Sequence, residues 1–355
     1  MSPASTRPAV ARTAAAAAAL LLAGALSACG ASEPVETATA GTGDGEGATS
    51  YPLVVDNCGR EVVVEAAPER VVSLDQGSTE ILLSLGLADR LVGTASWTDP
   101  VLPELAAAEE GVPRLSDDAP SYEAVLGADP DLVTASFGRH FRQGGVVERE
   151  RLEETGIGSY LSPTDCEDDL VVNGGGTRTR PLEVDALYRE IRELAAVFDV
   201  PSRGEELVAR LEARAEAATA RIADRDVSLA FWFADTRTPY VAGGLGSAQL
   251  LATTAGAENV FADLDDDWPA VGWETVVDRD PDVLVLGDLQ RDRFPGDLLA
   301  DKEAFLAADP LTRTLDAVQE ERYIALHGAE MNPSIRFADG LEKIADGLER
   351  LEVPS

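Results

Sequence analysis

Two segments of this chain carry one pattern of side chains. Residues 122–133 read Tyr-Glu-Ala-Val-Leu-Gly-Ala-Asp-Pro-Asp-Leu-Val, and residues 273–284 read Trp-Glu-Thr-Val-Val-Asp-Arg-Asp-Pro-Asp-Val-Leu. Each sets an aromatic before a glutamate (Glu123, Glu274), a valine two positions later (Val125, Val276) and an Asp-Pro-Asp ahead of an apolar run, so each reads as a helix leading into a strand. An earlier element is also repeated: Gly77-Ser78-Thr79-Glu80-Ile81-Leu82 returns as Gly246-Ser247-Ala248-Gln249-Leu250-Leu251. Two patterns repeated in the same order restrict the chain to two related lobes, with one exposed carboxylate at the matched point of each.

Elsewhere the apolar residues alternate between short strand-like runs and helical spacing. Residues 52–56 and 61–65 flank Asn57-Cys58-Gly59 as an edge hairpin. Residues 70–74, 91–95, 132–135 and 157–161 read as strands of the first half, with a glycine-rich loop at 173–176. Residues 227–233 and 283–286 read as strands of the second half. Short strands separated by helices form parallel sheets, and ligand-facing side chains lie beyond the carboxyl ends of the strands. Between the halves, Leu187, Ile191, Leu194, Ala195 and Phe198 recur at helical spacing, as do Leu207, Leu211, Ala215 and Ile222 after a break at Pro201-Ser202. The expected fold is α/β, with two lobes at 51–182 and 225–355, each a central, mostly parallel sheet flanked by helices. A long bridging α-helical segment at 183–224 joins them, and its stiffness favours small rocking over wide closure.

The N-terminus indicates where the chain works. Arg7 and Arg12 accompany an almost purely Ala/Leu/Gly run at 13–26, and Leu26-Ser27-Ala28-Cys29 follows. A run of about 14 residues is too short to span a bilayer and reads as a cleaved signal, residues 1–28. The residues before Cys29 resemble the bacterial lipobox, which implies lipid on Cys29; an ordinary secretory signal with an incidental cysteine is the alternative. Residues 29–50, rich in Ala, Gly, Thr, Ser and acids, have nothing to bury and read as a flexible tether. The expected location is the outer face of the cytoplasmic membrane, held by the lipid anchor only.

A formal net charge of -35 argues against nucleic acid as a partner, because phosphate binding needs clustered Lys and Arg. With Cys29 assigned to lipid, Cys58 and Cys166 remain. Outside the cytoplasm two such thiols are more often bonded than free, so a Cys58–Cys166 disulfide is expected, with two separate buried thiols as the alternative.

Several of these motifs together resemble a family. They are the lipobox, Pro68-Glu69-Arg70-Val71-Val72-Ser73-Leu74, Thr79-Glu80-Ile81-Leu82, Pro120-Ser121-Tyr122-Glu123, Trp268-Pro269-Ala270-Val271-Gly272-Trp273-Glu274 and the bridging helix. In this order they resemble the helical-backbone solute-binding proteins that serve bacterial ABC importers for ferric siderophores, haem and cobalamin, across essentially all of residues 51–350. The resemblance implies a monomeric receptor that captures a solute between its lobes and delivers it to the permease, whose cytoplasmic ATPase does the work. It also implies that Glu123 and Glu274 face the permease and pair with its arginines. The local alternative is that each glutamate merely occupies the first turn of a helix, where the dipole favours it. No intrinsic cofactor is implied; any metal arrives within the solute, an Fe(III)-siderophore, haem or cobalamin.

Candidate ligand residues are those just beyond the strand ends. In the first lobe they are Trp97, Phe137, Arg139, His140, Arg142 and Tyr160; in the second, Trp232, Asp235, Arg237 and Tyr240, with Asp288, Gln290, His327, Met331 and Arg336 as additions. Rings with arginines suit a large, partly anionic chelate. Arg178 and Arg180 rank lower, because a glycine-rich loop usually carries charge for solubility. The rival binding reading is a free transition metal held by His140 and His327 with Asp235 or Asp288, although two histidines are few for such a site. An anchored extracellular enzyme is the reading from another class. No Gly-x-Ser-x-Gly elbow, Walker loop or His-Glu-x-x-His helix supports it, so binding without turnover is expected.

Overall fold

The computed structural model describes residues 48–223, 225–290 and 295–351. The signal segment, Cys29 and most of the tether lie outside these residues. A hairpin of Leu53–Asp56 and Glu61–Val64 precedes the first sheet. That sheet has five parallel strands in the spatial order Arg114–Ser116, Leu91–Ala95, Val71–Leu74, Leu132–Ala135 and Gly158–Leu161. The second sheet runs Tyr240–Val241, Ser228–Ala234, Val283–Asp288 and Tyr323–His327, with Glu258–Asn259 also alongside Ser228–Ala234. Only the short Tyr240–Val241 strand is antiparallel within it. Val71–Leu74 and residues 283–287 are buried throughout, as strands covered on both faces must be.

The duplicated motif builds the same joint in each lobe. The Tyr122–Gly127 and Trp273–Arg279 helices each end at a left-handed aspartate, Asp129 with φ 52° and Asp280 with φ 42°. Aspartate tolerates this conformation better than most residues, and it turns the chain toward the sheet. The second aspartate of each motif then clasps the neighbouring strand where that strand begins. Asp131 accepts from the backbone N–H of Glu69 at 2.7 Å and of Arg70 at 3.1 Å. Asp282 accepts from Ser228 N at 2.8 Å and Ser228 Oγ at 2.7 Å. Parallel pairing follows at once, Val71 with Leu132 and Leu229 with Val283. The repeat thus pins strand register twice.

The bridge is a helical hairpin, not a single rod. Val184–Val197 and Pro201–Ile222 fold back on each other around Asp199, which has φ 58°. Arg192 meets Glu205 at 3.0 Å. Gly204 permits the close approach, since a Cβ there would stand 2.5 Å from that of Ala195. Pro201–Ile222 also packs along the last helix, Phe337–Arg350. Arg214 meets Asp339 at 2.9 Å and Glu342 at 2.8 Å, and Arg221 repeats the arrangement two turns later with Asp346 and Glu349. One continuous apolar cluster runs from Val71 and Leu82 through Leu194 and Leu211 to Leu229, Val285 and Leu341. The two sheets therefore share a core through the bridge, which resists wide relative motion. A disulfide joins Cys58 to Cys166, 108 residues apart, tying the hairpin turn to the segment after the fifth strand. No described helix is long and apolar enough to cross a membrane.

Candidate ligand-binding cleft

The carboxyl ends of both sheets open on one cavity of about 950 Å³. The first lobe contributes Asp75 and Gln76 after its central strand, Trp97 after the Leu91–Ala95 strand, and Phe137, Arg139 and His140 after Leu132–Ala135. The second contributes Phe233, Asp235, Tyr240, Gln290 and the Asp266-Asp267-Trp268 loop, while Asn173 and Arg178 come from the segment before the bridge. Phe233 and Trp268 form a tilted ring pair 4.8 Å apart.

Asp75 organises the first-lobe wall. Its φ of 138° is rare for a side-chain-bearing residue, and the surrounding contacts hold it there. The buried carboxylate accepts from the backbone N–H of Ser136 at 3.1 Å and of Phe137 at 3.0 Å. Arg139 reaches it at 2.5 Å and His140 Nε2 lies 2.9 Å away. The Arg139 guanidinium also lies 4.3 Å from the Phe137 ring centre. Behind them, burial pushes Asp165 up to about 6 despite hydrogen bonds from Asn173 and Gly138. Gly138 is required for this packing, because a Cβ would stand 2.0 Å from Val171 Cγ1. On the far side Arg178 donates to Asp267 at 3.1 Å and to the Thr164 carbonyl at 2.8 Å.

Of the residues expected at the ligand, Trp97, Arg139, His140 and Tyr240 line the cleft, together with Phe137, Asp235 and Gln290. So does Arg178, which the sequence ranked low. The others lie off it. Arg142 and Arg237 are exposed outside the cavity. Tyr160 turns its ring into the apolar cluster beside the bridge and donates to Glu193 at 2.8 Å. Trp232 is buried edge-on against Trp273, with ring centres 4.7 Å apart, and donates to the carbonyls of Ala234 and Asp235 at 3.0 Å. Strand alternation turns its neighbour Phe233 to the cleft instead, and period-two spacing alone does not reveal which face that is.

His327 lies outside the cavity and its backbone N–H donates to Glu330, so the two histidines do not converge. Among the described residues no group of three or more His, Cys, Asp and Glu side chains is placed to hold a metal ion. Arg336 is buried in an ion pair with Glu80 of the other lobe. Asp288 accepts from the Gln290 amide, and Met331 is buried beneath Gly287. Sequence reading missed Asp75, Phe233 and Trp268. Asp75 carried a usable signal, since it follows the first central strand directly. Glu123 and Glu274 are exposed in the first turns of their helices, and neither lines the cleft.

A buried carboxyl on the bridge predicts a pH effect. Glu190 Oε2 accepts from Ser162 Oγ at 2.5 Å, while Oε1 has no partner among the described residues. Burial pushes this carboxyl up to about 8, against the lowering effect of the Ser162 bond. The unfolded chain ionises it near about 4.3, so across the interval the native state retains a proton that the unfolded state has lost. The resulting stabilisation is complete in acid and disappears as pH rises through about 8. Denaturant unfolding across that range should show wild-type stability falling more steeply than that of Glu190→Gln. Parallel profiles would remove Glu190 as the cause.

The sequence pattern described as periplasmic binding protein matches residues 71–329. A vitamin B12-binding protein of Yersinia pestis (strain Pestoides F) is 26% identical over 226 residues, which is 63% of this chain and 71% of that protein. A solved periplasmic binding protein from Veillonella parvula dsm 2008 superposes with a TM-score of 0.73 at 24% identity, covering 85% of this chain and 98% of that one. A structure described as an ABC-type Fe3+-hydroxamate transport system, from Saccharomonospora viridis DSM 43017, has a TM-score of 0.68 at 28% identity, covering 84% of this chain and 99% of that one.

Proposed function

This chain belongs to the periplasmic binding protein family, whose members present small solutes to ABC permeases, and we propose that its solute is a metal chelate of the Fe(III)-siderophore, haem or cobalamin class. The carrying observation is the cleft, whose volume of about 950 Å³ is walled by Trp97 and Phe137 from one lobe and Phe233, Tyr240 and Trp268 from the other. This lies near the upper end of the roughly 300–1,000 Å³ typical of ligand pockets and suits a chelate better than a bare ion. The names of two relatives, one B12-binding and one of Fe3+-hydroxamate transport, support the same class.

Capture requires modest lobe reorientation, in keeping with the shared core. Lipid on Cys29 keeps the monomer at the outer face of the cytoplasmic membrane, and Glu123 and Glu274 dock it on the permease. The solute leaves unchanged, and recovery of an altered product after incubation would overturn the receptor reading.

Tryptophan emission tests the ligand class. Trp97 and Trp268 line the cleft, whereas Trp232 and Trp273 are buried in the second-lobe core. Titration against ferric siderophores, haem, cobalamin and free divalent metals should give a saturable change with a chelate and none with a bare ion. Trp97→Phe and Trp268→Phe should each remove a large part of that change. Saturation by a free metal alone would overturn the chelate reading.

A further inference from the structure

We propose that residues 166–180 form a side wall of the cleft locked by the Cys58–Cys166 disulfide, and that an external dithiol, by reducing this bond, frees the wall and speeds escape of the solute. The proposal rests on the reading of the cleft as the solute site. The segment starts shortly after the strand Gly158–Leu161 and lines the cavity with Val172, Asn173, Gly176, Thr177 and Arg178. It then reaches the second lobe, where Arg178 meets Asp267 at 3.1 Å. The wall thus runs from one lobe to the other beside the solute.

Little within the segment holds it in place. Its regular structure is a ribbon of two residues on two, Cys166 with Val171 and Glu167 with Leu170, and a two-stranded ribbon alone is marginal in water. Glu167 accepts from the backbone N–H groups of Thr179 at 2.7 Å and Arg180 at 3.1 Å, bonds that tie the segment only to itself. Its ties to the first lobe gather near its start. The disulfide joins Cys166 to the hairpin turn, and a Cβ on Gly59 would stand 2.6 Å from that of Asp169. Val171 packs beneath Gly138, and Asp165 accepts from Gly138 N at 2.7 Å and Asn173 N at 3.2 Å. Of these ties the disulfide is the covalent one.

The other end of the bond is held more firmly. Asn57, next to Cys58, is fully buried and pairs with the sheet edge as a further strand would. Its amide donates to the Leu161 carbonyl at 2.7 Å, and its oxygen accepts from Leu161 N and from Arg149, both at 2.8 Å. Cys58 therefore stays in place without the disulfide, whereas Cys166 opens a weakly held segment. Breaking the bond loosens the wall and leaves the sheet.

Both cysteines are half-buried, so a thiol reaches the bond from solvent. A thiolate of the dithiol attacks one sulfur, forms a mixed disulfide and expels the other cysteine as a thiolate. The second thiol of the reductant then attacks the mixed disulfide and leaves as a cyclic disulfide. Two electrons and two protons pass to Cys58 and Cys166, and the dithiol is oxidised.

Hydrogen exchange on the purified protein, before and after dithiothreitol, is the first measurement, with alkylation of Cys58 and Cys166 scoring reduction. Exchange in residues 166–180 should rise about tenfold or more, while that in Val71–Leu74 and Leu132–Ala135 stays as it was. Dissociation of a ferric trihydroxamate, haem and cobalamin is then compared between wild type and the variant carrying Cys58→Ser and Cys166→Ser, which needs no reductant that would attack the metal. A probe that binds should leave the variant about tenfold faster. Wild-type protein reduced, alkylated and freed of reductant gives the same comparison where the serine variant does not fold. Cysteines that resist reduction in the folded protein, unchanged exchange in 166–180, or a rise shared equally by the sheet overturns the lock. A loosened segment with wild-type dissociation rates overturns its role in retention. Binding of none of the probes overturns the receptor reading and the retention step with it, while the exchange data still judge the lock.

Discussion

Replacing Arg336 with alanine destabilises the folded protein by about 3–5 kcal/mol, the range for removing one partner of a buried ion pair. Arg336 was expected to face the ligand, but it crosses from the start of the last helix to Glu80 in the first lobe. It binds that carboxylate through Nε at 2.8 Å and Nη2 at 2.5 Å, and also reaches the Pro100 carbonyl. Glu80 is fully buried, so alanine at 336 would leave its charge without a counter-ion. Two neighbours belong to the same junction. Gln76 donates to Glu80 and accepts from Asp99 N, and Asp99 accepts from Ala329 N across the lobes at 2.8 Å. Denaturant midpoints measure the loss, and a double-mutant cycle with Glu80→Gln isolates the pairwise part. Combining Glu80→Gln with Arg336→Met should recover much of the stability, because no unpaired charge then remains. A shift in Arg336→Ala no larger than the roughly 0.5 kcal/mol of an ordinary surface substitution would show that the pair does not hold the lobes together.

The second large effect concerns transport. Glu123→Ala combined with Glu274→Ala should abolish solute uptake by cells while the purified protein binds its solute with unchanged affinity. Both glutamates are exposed, both open the helix of a duplicated joint, and both stand clear of the cleft. Two carboxylates on lobes joined by a shared core form a fixed pair of charges, and such pairs govern orientation and encounter rate more than raw affinity. Each also favours its own helix N-terminus, a local contribution of about 0.3–1 kcal/mol that is too small to unfold the protein when lost. Normal uptake by the double variant would leave only that local role. Loss of solute binding would instead place the glutamates at the wrong function.

Much of the fold was legible in the sequence because its determinants are short-range. The strands at 71–74, 91–95, 132–135 and 283–288 are brief apolar runs bounded by helical spacing, and each appears where its pattern lies. The Asp-Pro-Asp repeat marked two equivalent joints, although the clasp of Asp131 and Asp282 on the next strand could not be read without the sheet. The break at Pro201-Ser202 marked two bridge helices, while their folding back into a hairpin came from packing of Ala195 against Gly204. Legibility declined at the cleft. Trp97, Arg139, His140 and Tyr240 were recognisable from their places after strand ends, but the same rule also selected Tyr160 and Trp232, whose rings point into cores.

The sequence by itself determined that this chain is a duplicated α/β protein with parallel sheets and a helical bridge, since periodicity and turn residues act over a few positions. Only the tertiary structure decided which charges are free to meet a solute. Glu80 and Arg336 are 256 residues apart and neutralise each other, as do Asp75 with Arg139 and Asp267 with Arg178. A charged side chain is available only if nothing nearer compensates it, and what lies nearer depends on how distant segments pack. That is why arginines that read as anion receptors from the sequence are found paired with carboxylates in the fold.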